Sequence, residues 1–142
     1  MTAPLTPADC DLRDFKFMPL EVARLRDSEL ASDAEAEAFR AAVLLWCASW
    51  HEVPAASLPN NPRKLALIAG FGRATEAWEA IQAQAMRGWK LCDDGRWYHP
   101  VVAEQALKAW KKKGEQRERT AAARAADSFA TAVSVSLTNG PL

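Results

Sequence analysis

A mainly α fold with a small β-hairpin is predicted for this chain: a winged helix-turn-helix extended by a long basic C-terminal helix. Three observations predict it. Arg63 to Trp110 reads in order as short helix, Gly-containing turn, second helix, tight hairpin and long helix. Asp93-Asp94-Gly95 stands between two aromatic, alternating segments, a strong short-range hairpin signal. A run of lysines and arginines then follows the last aromatic residue of the final helix. Helix-turn-helix followed by hairpin is the order of a winged helix, which mostly binds nucleic acid or protein and seldom does chemistry.

Length and composition set the frame. The 142 residues suffice for one domain plus tails, and 49% hydrophobic residues permit a packed core. The reading divides the chain into a flexible tail over 1–11, a winged-helix domain over 12–110, a basic helical extension over 111–126 and a disordered tail over 127–142. Formal net charge is zero but unevenly distributed. Residues 1–60 hold five Lys/Arg against ten Asp/Glu, residues 61–107 six against five, and residues 108–142 seven against three. Such asymmetry points the C-terminal half towards a polyanion. Cys10, Cys47 and Cys92 are odd in number and form no CxxC, which suits a reduced, cytoplasmic protein without a disulfide framework. The N-terminus lacks a basic n-region and an apolar h-region, so no signal peptide is read there. The longest apolar run, Ala41–Ala48, is far short of the roughly 20 residues of a membrane span.

Each element has its own signal. Phe15 and Phe17 alternate with Asp14 and Lys16, a short strand pattern. Pro19 suits the first turn of a short helix with Leu20, Ala23 and Leu25 facing inward, ended by Asp27-Ser28. Ser32-Asp33-Ala34-Glu35 reads as a capping box opening a long helix. On that helix Ala38, Ala41, Ala42, Leu45, Trp46 and Ser49 share one face, and Phe39, Val43, Leu44 and Cys47 cover much of the rest. A helix apolar nearly all round is expected to be central. Pro54, Pro59 and Pro62 enforce a loop, with Asn60-Asn61 as cap for a helix from about Pro62 to Ala69. Gly70-Phe71-Gly72 is the turn. Ala74–Arg87 is the next helix, burying Trp78, Ile81, Ala85 and Met86, with Gly88 at its C′ position. Pro100 opens the last helix, seamed by Ala103, Ala106, Leu107 and Trp110.

Taken together, the segments Phe-x-Phe-Met-Pro-Leu (15–20), Phe39-Arg40-Ala41-Ala42-Val43-Leu44-Leu45-Trp46-Cys47-Ala48-Ser49-Trp50, Ala69-Gly70-Phe71-Gly72 and Asp94-Gly95-Arg96-Trp97-Tyr98-His99-Pro100-Val101-Val102 carry a resemblance. In that order, from about Phe15 to Arg124, the chain resembles a prophage family catalogued as domain of unknown function 1376. The resemblance implies a winged-helix-like protein encoded among phage and prophage replication genes, with a role near DNA replication initiation. It implies no catalytic residue. A basic tail after the last helix is common in the family. A clear second domain after that tail, which helicase loading would need, is not evident here.

The candidate sites are cationic. Lys108, Lys111, Lys112, Lys113, Arg117, Arg119 and Arg124 form a basic run, and each phosphate they neutralise would release counterions. The plainer reading is a solvated helix face, interrupted by Glu115 and Glu118. The second helix of the helix-turn-helix would expose Arg73, Glu76, Glu79, Gln82 or Ala83, Gln84 and Arg87 to a major groove. Arg and Gln can read base edges there, but two glutamates would face a polyanion. The wing supplies Lys90 and Arg96, with Arg63 and Lys64 nearby on the preceding helix, as phosphate contacts. Trp89, Trp97 and Tyr98 are candidates to stack on bases, whereas Trp46, Trp78 and Trp110 are expected in the core. Cys47 and His51 share a helix face at i, i+4, which could suit zinc, but the six residues between Cys92 and His99 are not a zinc-finger spacing. They are read as buried thiols and capping or core histidines, with no metal and no cofactor. No GxSxG, Walker or HExxH motif occurs, so a non-enzyme is expected.

The expectation is a phage- or prophage-derived DNA-binding protein in replication initiation or its control. The alternative is a non-enzymatic adaptor for a replication or regulatory protein. It would dock through the acidic Asp27, Glu29, Asp33, Glu35 and Glu37 and use the winged helix as a protein or homodimer interface. No membrane partner is expected.

Overall fold

The computed structural model describes residues 2–139, with side chains through Val135. In chain order come α1 (Val22–Arg26), α2 (Glu29–Asp33), α3 (Ala36–Trp50), β1 (Ser57–Pro59), α4 (Pro62–Ile68), α5 (Thr75–Ala85), β2 (Lys90–Leu91), β3 (Arg96–Tyr98) and α6 (Pro100–Asn139). The chain divides into two compact units, Met1–Lys108 and Ala109–Leu142, with the boundary inside α6.

The first unit is built on α3. Its alanines Ala38, Ala41 and Ala42 are fully buried, and their small side chains let α5 pack closely against α3. Leu45, Leu58, Leu65, Trp78, Ile81 and Trp89 fill the core between α3, α4, α5 and β1. The opposite side of α3 stays at the surface, since Leu44 and Cys47 are exposed. The helix is therefore central on one side only, a narrower burial than its all-round apolar sequence predicts.

The turn between α4 and α5 follows from glycine. Gly70 and Gly72 take φ of 89° and 58°, a region that L side chains adopt at a cost of roughly 1–2 kcal/mol. Phe71 between them packs on the core, its ring 5.9 Å from that of Trp78. Asn61 caps α4 as expected, its Oδ1 accepting from the amides of Arg63 (3.1 Å) and Lys64 (3.2 Å).

The expected hairpin is present, but it belongs to a three-stranded antiparallel sheet of order β1–β3–β2. Ser57 pairs with Tyr98, Leu58 with Trp97 and Pro59 with Arg96. On the other side Lys90 pairs with Tyr98 and Leu91 with Trp97. The sequence concealed β1 because it is three residues long and ends in proline, which reads as loop.

Four local expectations are corrected. Residues 15–17 form no strand: the amide of Phe15 closes a turn onto the Leu12 carbonyl, and Phe17 is 84% exposed. One alternation without a neighbouring strand cannot hold extended backbone. The short helix starts at Val22 rather than at Pro19, and none of its residues is buried. The capping box at Ser32 does not open the long helix: the serine that caps is Ser28, at the start of α2, its Oγ accepting from the Ala31 amide at 3.2 Å. Ser32 lies inside α2. Ala34 then turns extended, and α3 opens at Glu35, whose amide donates to Gln84 Oε1 at 2.9 Å.

The segment read as a flexible tail over 1–11 is seated in the domain from Thr2 onward; Met1 lies outside the described residues. Thr6 Oγ1 donates to the Ala55 carbonyl (2.7 Å), and the Ala55 amide donates to the Cys10 carbonyl (2.9 Å). Cys10 and Leu12 are fully buried. Two apolar side chains and a few main-chain bonds outweigh the loop-like composition.

The second unit is the helix itself. The stretch 127–139, expected to be disordered, continues α6 to Asn139; Gly140–Leu142 lie outside the described residues. Alanine-rich sequence after Thr120 has the highest intrinsic helix propensity, which outweighs the Ser/Thr content that suggested disorder.

Candidate functional site

The cations singled out in the sequence separate into three sets. Arg63, Lys64 and Arg73 are exposed on α4 and in the turn before α5. The outward face of α5, however, carries Glu76, Ala77, Glu79, Ala80 and Ala83. Gln84, expected outside, is half-buried and caps α3 through Glu35. Arg87 lies 3.6 Å from Glu29. That surface bears more carboxylate than cation, so a major groove would repel it.

The hairpin set is divided. Lys90 is exposed on β2. Arg96 is half-buried: its Nε donates to Ser57 Oγ (2.9 Å) and its terminal nitrogen to Glu52 Oε1 (3.0 Å). Ser57 is fully buried. The expected wing cation is thus an internal brace joining β3 to β1 and to the turn after α3. Its neighbours are likewise engaged. Trp97 Nε1 donates to Asn60 Oδ1 (3.1 Å), and the Tyr98 hydroxyl donates to Asp94 Oδ2 (2.6 Å). Burial and that carboxylate push the Tyr98 phenol well above its ordinary range. Trp89 and Tyr98 are buried and present no ring to a base.

The third set lies on α6. Lys108 is exposed at the end of the first unit. In the second unit Lys111, Lys112, Arg117, Arg119 and Arg124 are exposed, and Lys113 is half-buried. Trp110, expected in the core, is only half-buried; Lys113 Nζ lies 5.8 Å and Arg117 Cζ 5.4 Å from its ring centre. These are cation–π distances.

The first unit also holds a cavity of ≈ 310 Å³ that no sequence pattern announces. Met18, Leu25, Leu30, Trp46 and Val102 supply apolar wall, and Arg24, Glu29 and Arg87 also border it. It forms because α1 lies over α3 and α6 without burying a side chain of its own. His99 lines it and is 7% exposed. Its ring stands edge-on to Trp46 (5.6 Å) and Trp89 (5.3 Å), and its Nδ1 has no partner among the described residues. Burial, helped by nearby Arg24, holds this imidazole down at about 4, so it is neutral at pH 7.

The remaining Cys/His candidates have local roles. His51 Nε2 hydrogen-bonds the Phe15 carbonyl at 2.6 Å, and Cys92 Sγ donates to the Lys90 carbonyl. Cys47 is exposed rather than buried. Among the described residues no three His, Cys, Asp or Glu side chains converge as metal ligands, and no helix is long and apolar enough to cross a membrane.

No curated protein and no solved structure matches the chain. A family profile, described as Protein of unknown function (DUF1376), matches residues 16–106. That span runs from before α1 into the first turns of α6 and stops short of the basic run. Since it takes in more than half of the chain, this protein belongs to the DUF1376 family of proteins of unknown function.

Proposed function

We propose that this protein binds nucleic acid through the basic part of α6, and that it acts as a phage- or prophage-derived DNA-binding protein in replication initiation or its control. One observation carries the reading. From Lys108 to Arg124 a single helix bears seven cations against two carboxylates, with six of the seven cations exposed. Such a helix offers phosphate contacts and little else, so binding is sequence-tolerant and driven by counterion release. The order α3–β1–α4–α5–β2–β3, with β3 central in the sheet, supports a winged-helix reading of the first unit. The acidic outer face of α5 favours scaffold over groove reader, so specificity from that helix is not part of the proposal.

The test is fluorescence anisotropy of labelled single- and double-stranded DNA against the full chain at low and moderate salt. Affinity should fall about tenfold or more as salt rises. Reversing Lys111, Lys112 and Lys113 to Glu should abolish binding with helix content unchanged. Absence of binding even at low salt sinks the proposal.

A non-enzymatic adaptor is the second reading. In its favour, Phe17 and Val22 are 84% and 71% exposed, and both flank segments that border the cavity. Against its acidic docking surface, Asp27, Glu29 and Glu37 each lie near an arginine: Arg26 at 2.9 Å, Arg87 at 3.6 Å and Arg40 at 3.8 Å. A pull-down broken by charge reversal at Glu29, Asp33 and Glu37, with DNA binding absent, would favour the adaptor.

A further inference from the structure

Beyond Lys108, one stripe of α6 differs chemically from the rest of the helix. At about 100° per residue, Trp110, Lys113, Arg117 and Arg124 fall within about 60° of arc. Glu118 stands about 80° from Trp110 and Glu115 about 140°, and Asp127 falls about 40° outside the Lys113 edge, so no carboxylate lies within the stripe. The two nearest cations gather at the indole, 5.8 Å and 5.4 Å from its centre. Lys108, Lys112 and Arg119 occupy the far side together with Glu115. The helix thus has one aromatic and purely cationic face and one mixed face.

We infer that the Trp110 stripe is a stacking platform for single-stranded nucleic acid. The inference rests on the nucleic-acid reading above and deepens it by naming the strandedness and the stacking residue. The indole receives the face of an unpaired base, and Lys113, Arg117 and Arg124 meet the phosphates on either side of it. A duplex keeps both faces of its bases covered, so a helix that only tracks duplex phosphates gains nothing from tryptophan in its contact stripe. An unpaired base offers that face at once. Lys113 and Arg117 lie over the indole and would swing off it to meet the flanking phosphates as a base stacks. Stacking exchanges a cation–π contact for a base stack plus a charge-assisted phosphate contact. Trp97 and Trp89, the earlier stacking candidates, lack this combination: one indole is tied to Asn60 and the other is buried.

The experiment compares the full chain with Trp110→Ala and Trp110→Phe. Anisotropy is read on a labelled oligothymidylate of about 20 nucleotides and on a duplex of equal length, at one moderate salt concentration. Alanine is the better helix former, so α6 is not weakened by the first change, and far-ultraviolet circular dichroism checks that. The wild type should prefer the single strand. Trp110→Ala should weaken single-strand binding by about 5- to 100-fold and duplex binding by less than about twofold. Trp110→Phe should retain most of the affinity. Oligothymidylate should quench tryptophan emission more in the wild type than in Trp110→Phe. Unchanged single-strand binding in Trp110→Ala, or equal weakening on both DNAs, overturns the stacking platform while salt-sensitive binding leaves the nucleic-acid reading standing. A wild type that binds neither DNA overturns both.

Discussion

His99 sits between two indoles with one ring nitrogen unpartnered, and its charge state is tied to the fold. Folded, it protonates only near pH 4; unfolded, it protonates near its ordinary 6.5. The unfolded chain therefore takes up the proton first as pH falls. Stability from this group is complete above about pH 6.5 and is lost progressively towards pH 4, by up to about 3 kcal/mol. Urea unfolding at pH 7, 5.5 and 4.5 should trace that loss. His99→Phe, which keeps a ring between Trp46 and Trp89, should flatten the difference; equal acid sensitivity in both proteins would refute the assignment. The sequence left His99 as a core or capping residue, and the core reading holds, since the side chain is buried with its Nδ1 unpartnered. Its cavity was not legible. That depends on how α1 lies over the domain, and no periodicity reports that.

At the scale of elements, the three-stranded sheet is closed by Arg96 as much as by its ladders. Arg96→Ala removes two side-chain hydrogen bonds, one to a fully buried serine. A loss of about 1–2 kcal/mol follows, read as a lower urea midpoint. DNA affinity should change by less than about twofold. Intact stability with much weaker DNA binding would instead restore Arg96 as a wing contact. The hairpin, the glycine turn, the Asn61 cap and the Pro100 start were legible because each is decided by one or two residues with narrow backbone preferences. The α2–α3 boundary was not. Ser32 lies inside α2, and the amide of Glu35, which opens α3, finds its partner Gln84 49 positions away in sequence. Strand β1 was hidden for the same reason, because its partner β3 lies about forty residues away. Among candidate sites, the exposed cations of α6 were visible as composition. The Trp110 stripe was not, since Trp110 continues the apolar seam of Ala103, Ala106 and Leu107 and so reads as core.

The whole molecule separates its charge by unit. Net acidic sequence occupies residues 1–60, and the excess of cations follows Lys108. Among the described residues all of the buried core lies in the first unit. A chain ending at Lys108 should therefore keep the melting temperature of the full protein within about 5 °C, read by near-ultraviolet circular dichroism, and should lose DNA binding. A larger drop would mean that the extension contributes to the stability of the domain. The seated N-terminal segment has a separate consequence. The order β1–β3–β2 leaves one side of β2 unpaired, and Thr2 forms a parallel bridge with Cys92 just beyond β2, its carbonyl accepting from the Asp93 amide at 2.8 Å. Thr2 and the residues that anchor it thus plug the end of an open sheet edge, occupying a main-chain group that another chain would otherwise recruit. Trimming them would expose backbone donors and acceptors next to Leu91, and protection against edge-to-edge aggregation would be lost with them.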